Sequence, residues 1–108
     1  MIPKRYDIFF ADLNPTLGSE LKKTRPVVIV SDNEMNRYLD TIVVCPLTSK
    51  LHPNWRSRIQ IVCNGKKSEI AVDQIRTISK VRLRKKVGGL NDTEALQLRQ
   101  LITTMYGE

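Results

Sequence analysis

Apolar residues in this chain fall into short compact runs, and only the last segment repeats at a helical period. Asp7 to Ala11 (Asp-Ile-Phe-Phe-Ala) predicts a first strand. Pro26 to Val30 is a β-branched run that predicts a buried central strand, with Pro26 at its first position because proline cannot donate to a ladder. Thr41 to Cys45 is another such run, and Pro46 is expected to stop it. Arg58 to Val62 and Glu69 to Val72 are strand-like. From Val81 to Val87, apolar Val81 and Leu83 alternate with Arg82 and Arg84, which predicts a half-exposed strand with a basic outer face. Asp12 to Thr24, with Asn-Pro and Gly-Ser, reads as a long loop. Ser31 is the expected N-cap of a short helical turn through Arg37.

Towards the end the period changes. Leu98, Leu101, Ile102 and Met105 share one helical face, Asn91 to Glu94 has capping-box spacing, and Gly107 is a natural stop. Six short strands and a terminal helix predict a mainly β fold, a small SH3-like β-barrel with a C-terminal α-helix at one side. A chain of 108 residues has room for one core, so residues 1–108 are expected to form a single domain.

Composition narrows the class. The hydrophobic share is 41%, ordinary for a globular protein, and no stretch approaches the roughly 20 apolar residues of a membrane span. Nothing at the N-terminus reads as a secretory signal, and Cys45 and Cys63 have no metal-site spacing. The expectation is a cytoplasmic protein with no metal or other cofactor and two free thiols near its core. The net charge is +7, and Arg76 to Lys86 holds six basic residues without an acid. Such segregation favours polyanionic partners, although a solvated strand face has the same composition.

The standard catalytic sets are missing. His52 is the only histidine, and there is no P-loop, GxGxxG or HExxH. Three polar stretches beside apolar strands are the candidates. Arg25 stands at the mouth of the Val27 to Val30 run, where its fork could hold a phosphate or pair with Glu20. Thr48 and Ser49 follow the Thr41 to Cys45 run and could donate to a phosphate or cap a turn. Asp73, Gln74 and Arg76 follow Glu69 to Val72 and could line a ligand surface or form a salt-bridged turn.

In order along the chain, these stretches resemble the MazF/PemK family of bacterial toxins. The matching residues are Asp7 to Pro15; Gly18-Ser19-Glu20 with Lys23-Thr24-Arg25-Pro26 and the apolar run to Ser31; Asn36-Arg37; Pro46-Leu47-Thr48-Ser49; and Val72-Asp73-Gln74-Ile75-Arg76-Thr77. Tyr6 stands where the family often has Gly, and Leu51 to Asn64 matches no motif.

The resemblance implies an SH3-like barrel that forms a homodimer and cleaves single-stranded RNA at specific sequences without a metal, leaving 2′,3′-cyclic phosphate and 5′-hydroxyl ends. It implies catalytic roles for Arg25 and Thr48, and proton transfer by the acid at Asp73. It also implies an antitoxin whose acidic, disordered tail lies across the RNA groove. In such chemistry the 2′-hydroxyl is the nucleophile, so the protein must align attack, stabilise phosphorane charge and move two protons. Glu20 and Asp73 are the candidate acid/base groups, with His52 as a loop or RNA-contact residue. Ser19, Ser49, Gln74 and Arg76 are candidate RNA contacts, Arg82 to Lys86 is open on this point, and Trp55 either stacks on a base or anchors its loop. Two other classes compete: a toxin of the same fold that poisons DNA gyrase by binding it, and a barrel that binds nucleic acid without cutting it.

Overall fold

The computed structural model describes residues 2–14, 18 and 23–107. Among the described residues, seven strands, two α-helices and two 3₁₀ turns follow in the order β1 (Asp7–Asp12), β2 (Thr24–Ile29), α1 (Asn33–Tyr38), β3 (Thr41–Thr48), β4 (Arg58–Cys63), β5 (Lys66–Ala71), a 3₁₀ turn (Val72–Gln74), β6 (Arg76–Ser79), a second 3₁₀ turn (Lys80–Arg82), β7 (Leu83–Gly89) and α2 (Asp92–Tyr106). The expected mainly β, SH3-like architecture with a C-terminal helix is what forms. The strands make one curled antiparallel sheet in the order β4-β5-β3-β2-β1-β7, with β6 added beside β3.

Continuous apolar runs in β1, β2 and β3 are explained by burial on both faces. Ile8, Val28, Cys45 and Leu47 enter one core cluster with Ile70 and with Leu98 of α2. Their chain neighbours Phe9, Val27, Ile29 and Val44 enter another, with Ile42 and Ile78. Helix α2 closes the first cluster through Leu98, flanked by Leu101, Ile102 and Met105. Its start is the expected capping box: Asn91 Oδ1 accepts the Glu94 N–H at 2.8 Å, and Glu94 Oε1 accepts the Asn91 N–H at 2.9 Å. Gly107 is its C-cap. At the last turn Tyr106 Oη donates to the Val72 carbonyl at 2.9 Å, tying the helix to the first 3₁₀ turn.

Several boundaries differ from the sequence expectation. β3 runs through Pro46 to Thr48 because the strand changes partners there: Thr41 to Val44 pair with β6, whereas Leu47 and Thr48 pair with β5. β2 begins at Thr24, and Pro26 is one residue short of the first β2–β3 rung, Val27 opposite Pro46. Ser31 does not cap α1. Asp32 does, accepting the Met35 N–H at 2.7 Å, while the Ser31 hydroxyl is buried against Asn36 and accepts the Val43 N–H. β4 and β5 form a hairpin through Asn64-Gly65, both at positive φ (52° and 74°), as a two-residue turn of this kind requires. β5 therefore starts at Lys66, three residues before the apolar stretch that suggested it. Val81 sits in a 3₁₀ turn and is 80% exposed, so β7 starts only at Leu83.

Candidate active-site cleft

The β2–β3 register places Val27 opposite Pro46 and Val28 opposite Cys45. Continued by two residues, it sets Arg25 beside Thr48 at the open end of both strands. A cleft of about 350 Å³ opens there. Arg25, Thr48 and Ser49 line it together with Thr24, Ser68 and the apolar walls Phe10, Pro26 and Leu47. The β4–β5 hairpin adds Cys63, Asn64 and Lys66. Sequence reasoning missed Asn64 and Lys66, although Asn-Gly between two strand-like runs was the available signal for a hairpin.

Arg25 is half-buried, and its Nη1 donates to the Leu47 carbonyl at 3.2 Å, on the strand that carries Thr48. Burial lowers its pKa from the usual value, because desolvation disfavours the charged form. An arginine nonetheless remains protonated in proteins, so the cleft holds a fixed cation. Thr48 is 7% exposed, and its Oγ1 accepts the Lys50 N–H at 3.1 Å, which leaves the hydroxyl proton able to donate into the cleft. Two of the candidates, Ser19 and Glu20, lie outside the described residues.

Asp73, Gln74, Arg76 and Trp55 do not line this cleft. Asp73 is bound to Arg58, with Nε to Oδ1 at 2.8 Å. The same guanidinium meets Glu69, with Nη1 to Oε1 at 3.0 Å. Glu69 is fully buried in β5 and also accepts from Gln60 Nε2 at 2.6 Å and from the His52 backbone N–H. Desolvation pushes both carboxylates up, but the hydrogen bonds and Arg58 outweigh it, so both lie below the usual range. Sequence reasoning read Glu69 only as part of a strand; its signal was an acid followed at once by Ile70-Ala71-Val72. Trp55 stacks on His52 with ring centroids 3.9 Å apart, and the Arg58 guanidinium lies 4.6 Å from its ring centre. The loop between β3 and β4, with the first residue of β4, thus forms a preformed His52–Trp55–Arg58 stack. Gln74 is in the first 3₁₀ turn, and Arg76 in β6 has a buried Nη1 with no hydrogen-bond partner among the described residues.

The basic run is mostly used inside the fold. Lys80 Nζ donates to the Asn36 and Leu39 carbonyls at 2.6 and 2.9 Å, closing the C-terminal end of α1. Arg82 donates to the Asp12 and Asn14 carbonyls and fixes the start of the loop after β1. Lys86 pairs with Asp7 at 3.3 Å, and Arg84 approaches Asp12 at 3.8 Å.

Residues 4–106 match the family model described as PemK-like, MazF-like toxin of type II toxin-antitoxin system. Among curated relatives, the endoribonuclease EndoA of Bacillus subtilis is 36% identical, over 91% of this chain and 94% of that protein. The endoribonuclease MazF of Staphylococcus saprophyticus is 32% identical, over 96% and 91%. Among solved structures, MazF from Deinococcus radiodurans superposes with a TM-score of 0.88 at 16% identity, covering 100% of this chain and 99% of that one. An endoribonuclease in complex with its cognate antitoxin, from a mycobacterial species, superposes with a TM-score of 0.78 at 20% identity, covering 98% and 94%. The chain belongs to the PemK/MazF family of toxins of type II toxin–antitoxin systems.

Proposed function

We propose that this PemK/MazF-family endoribonuclease cuts single-stranded RNA by attack of a 2′-hydroxyl on the adjacent phosphorus. One observation carries the reading: Arg25 and Thr48, on neighbouring strands, line a single open cleft. The 2′-oxygen forms a bond to phosphorus as the bond to the 5′-oxygen breaks. The 2′-hydroxyl gives up its proton to a base, and the departing 5′-oxygen takes one up. The products are a 2′,3′-cyclic phosphate and a 5′-hydroxyl.

Arg25 stabilises the charge that develops on the phosphorane oxygens, and its N–H groups can also serve the departing oxygen. Thr48 holds a non-bridging oxygen through its hydroxyl. Ser49 and Lys66 border the same cleft and suit the flanking phosphates. Asp73 is a weak candidate for the base, since Arg58 occupies its carboxylate and holds its pKa down. That leaves Glu20, close before Arg25 in sequence, as the better carboxylate candidate.

The bases of an unpaired strand can stack on aromatic faces, which fits the half-exposed His52–Trp55 stack as a sequence-reading element, with Gln74 and Arg76 as further contacts. In this reading, residues 1–108 act as one toxin domain in the cytoplasm, as a homodimer that blocks translation by cutting mRNA. An antitoxin with an acidic tail suits the positive cleft, and the mycobacterial neighbour in complex with its antitoxin supports that partner class.

The test is cleavage of a long single-stranded RNA in excess EDTA, with mapping of product ends. Discrete cuts with cyclic-phosphate ends, reduced roughly 100- to 1000-fold in Arg25→Ala, are expected. No cutting by the wild type would overturn the reading. A supercoiling assay with DNA gyrase and an RNA-binding assay would then separate the two competing classes.

A further inference from the structure

Four strands carry a transverse row of polar residues. Glu69 on β5 is the register partner of Thr48 on β3 and of Gln60 on β4. Arg25 extends the row on β2. Directly opposed residues project to the same face of a sheet, so the Glu69 carboxylate lies on the face that presents Thr48. Thr48 borders the open cleft, whereas Glu69 is fully buried. What covers Glu69 is the chain that leaves Thr48: the His52 N–H, four residues on, donates to Glu69 Oε2. Between the two, the Lys50 N–H donates to Thr48 Oγ1 at 3.1 Å.

The Thr48–His52 segment is therefore pinned at both ends. One end is the Thr48–Glu69 rung, and the other is the bond from His52 to the Glu69 carboxylate. The carboxylate is itself held by Gln60 at 2.6 Å and Arg58 at 3.0 Å. A buried ion pair is a costly way to stabilise a sheet, because two desolvated charges seldom gain more than apolar residues of the same volume would. Its other attested use is to specify one arrangement, and the arrangement it specifies here ends on a proposed catalytic hydroxyl.

The geometry points to Glu69 as a positioning residue for Thr48. It acts through His52 and Lys50 to hold the hydroxyl at the angle that meets the scissile phosphate. This inference rests on the reading of Thr48 as a catalytic group. A displacement of about 1 Å at such a group can cost on the order of 100-fold in rate.

The experiment uses Glu69→Gln, Thr48→Ala and the double variant, assayed on a short RNA well below their melting temperatures. Glu69→Gln is expected to lower kcat roughly 10-fold or more with KM within about 2-fold. In the Thr48→Ala background it should have little further effect, because the group it positions is gone. An equal loss in both backgrounds, or an unchanged kcat, overturns the inference. Should Glu69→Gln fail to fold, His52→Pro removes the N–H donor and leaves the buried Glu69–Arg58 pair. Because it also removes the ring stacked on Trp55, it is compared with His52→Ala, which loses the ring but keeps the N–H. A kcat loss beyond that of His52→Ala is expected, whereas equal kcat values overturn the inference. Amide exchange needs no substrate. Lys50 should exchange roughly 10-fold faster in Glu69→Gln or His52→Pro, and unchanged exchange overturns the inference whether or not the wild type cuts RNA. Absence of cutting by the wild type, with the exchange effect present, overturns the nuclease reading instead.

Discussion

Thr48 and Glu69 stand directly opposite each other on β3 and β5, one at the rim of an open cleft and the other with no solvent exposure. A hydroxyl at a strand exit is ordinarily mobile. Here a buried carboxylate beneath the following loop limits its freedom.

The Thr48 series separates the hydroxyl from the methyl group. Thr48→Ser keeps an acceptor for the Lys50 N–H and a donor for phosphate, so cleavage should fall less than about 10-fold. Thr48→Val keeps the shape but loses both bonds, and it should lose roughly 100-fold, the scale of one oxyanion donor. Single-turnover rates on a short RNA check both. Equal rates for Ser and Val would remove the hydroxyl from the chemistry.

Acid stability follows from the Arg58 network. Glu69 and Asp73 both have folded pKa values below their ordinary ones. A lowered folded value means that the stabilisation is complete above the unfolded pKa, about 4, and is lost as pH falls through the folded values. Between pH 5 and 7 these groups should leave stability flat, with the fall starting at about pH 4 and below. Arg58→Met strands Glu69 as an unpaired buried charge and should cost roughly 3–5 kcal/mol at pH 7. Denaturant melts across pH measure both effects.

Lys80 distinguishes a structural cation from an RNA contact. It caps α1 through two carbonyls. Lys80→Met should lower stability by about 1–2 kcal/mol and leave the salt dependence of RNA binding unchanged. A shallower salt slope in this variant would show that the side chain reaches phosphate instead.

The two thiols should react unequally. Burial, with a smaller contribution from the charge of Asp73, pushes Cys45 up to about 12. Burial also raises Cys63, which borders the cleft. With the thiolate as the reactive form, a disulfide reagent at pH 8 should leave Cys45 unmodified in the folded protein and react with it on unfolding. Mass spectrometry of the labelled peptides reads this directly. Labelling of native Cys45 at the rate of a free thiol would contradict its burial.

Local patterns in the sequence determined a good deal. Apolar runs marked strands β1 to β3, because strands buried on both faces need continuous rather than alternating hydrophobicity. The capping box and the Leu98 face marked α2, because helix ends and faces are set by residues three and four apart. The ordered motifs around Arg25, Thr48 and Asp73 marked the family. Strand ends at Pro46 and Val81 were decided elsewhere, by which neighbour β3 pairs with and by where the chain turns into β7. The company each candidate keeps was likewise decided in three dimensions. Arg25 and Thr48, 23 positions apart, meet through the β2–β3 register, whereas Asp73 is drawn to Arg58 and away from the cleft. Glu69 carried no motif at all. Its importance arises only because a loop closes over it, and long-range pairing of that kind leaves no periodic trace in the order of residues.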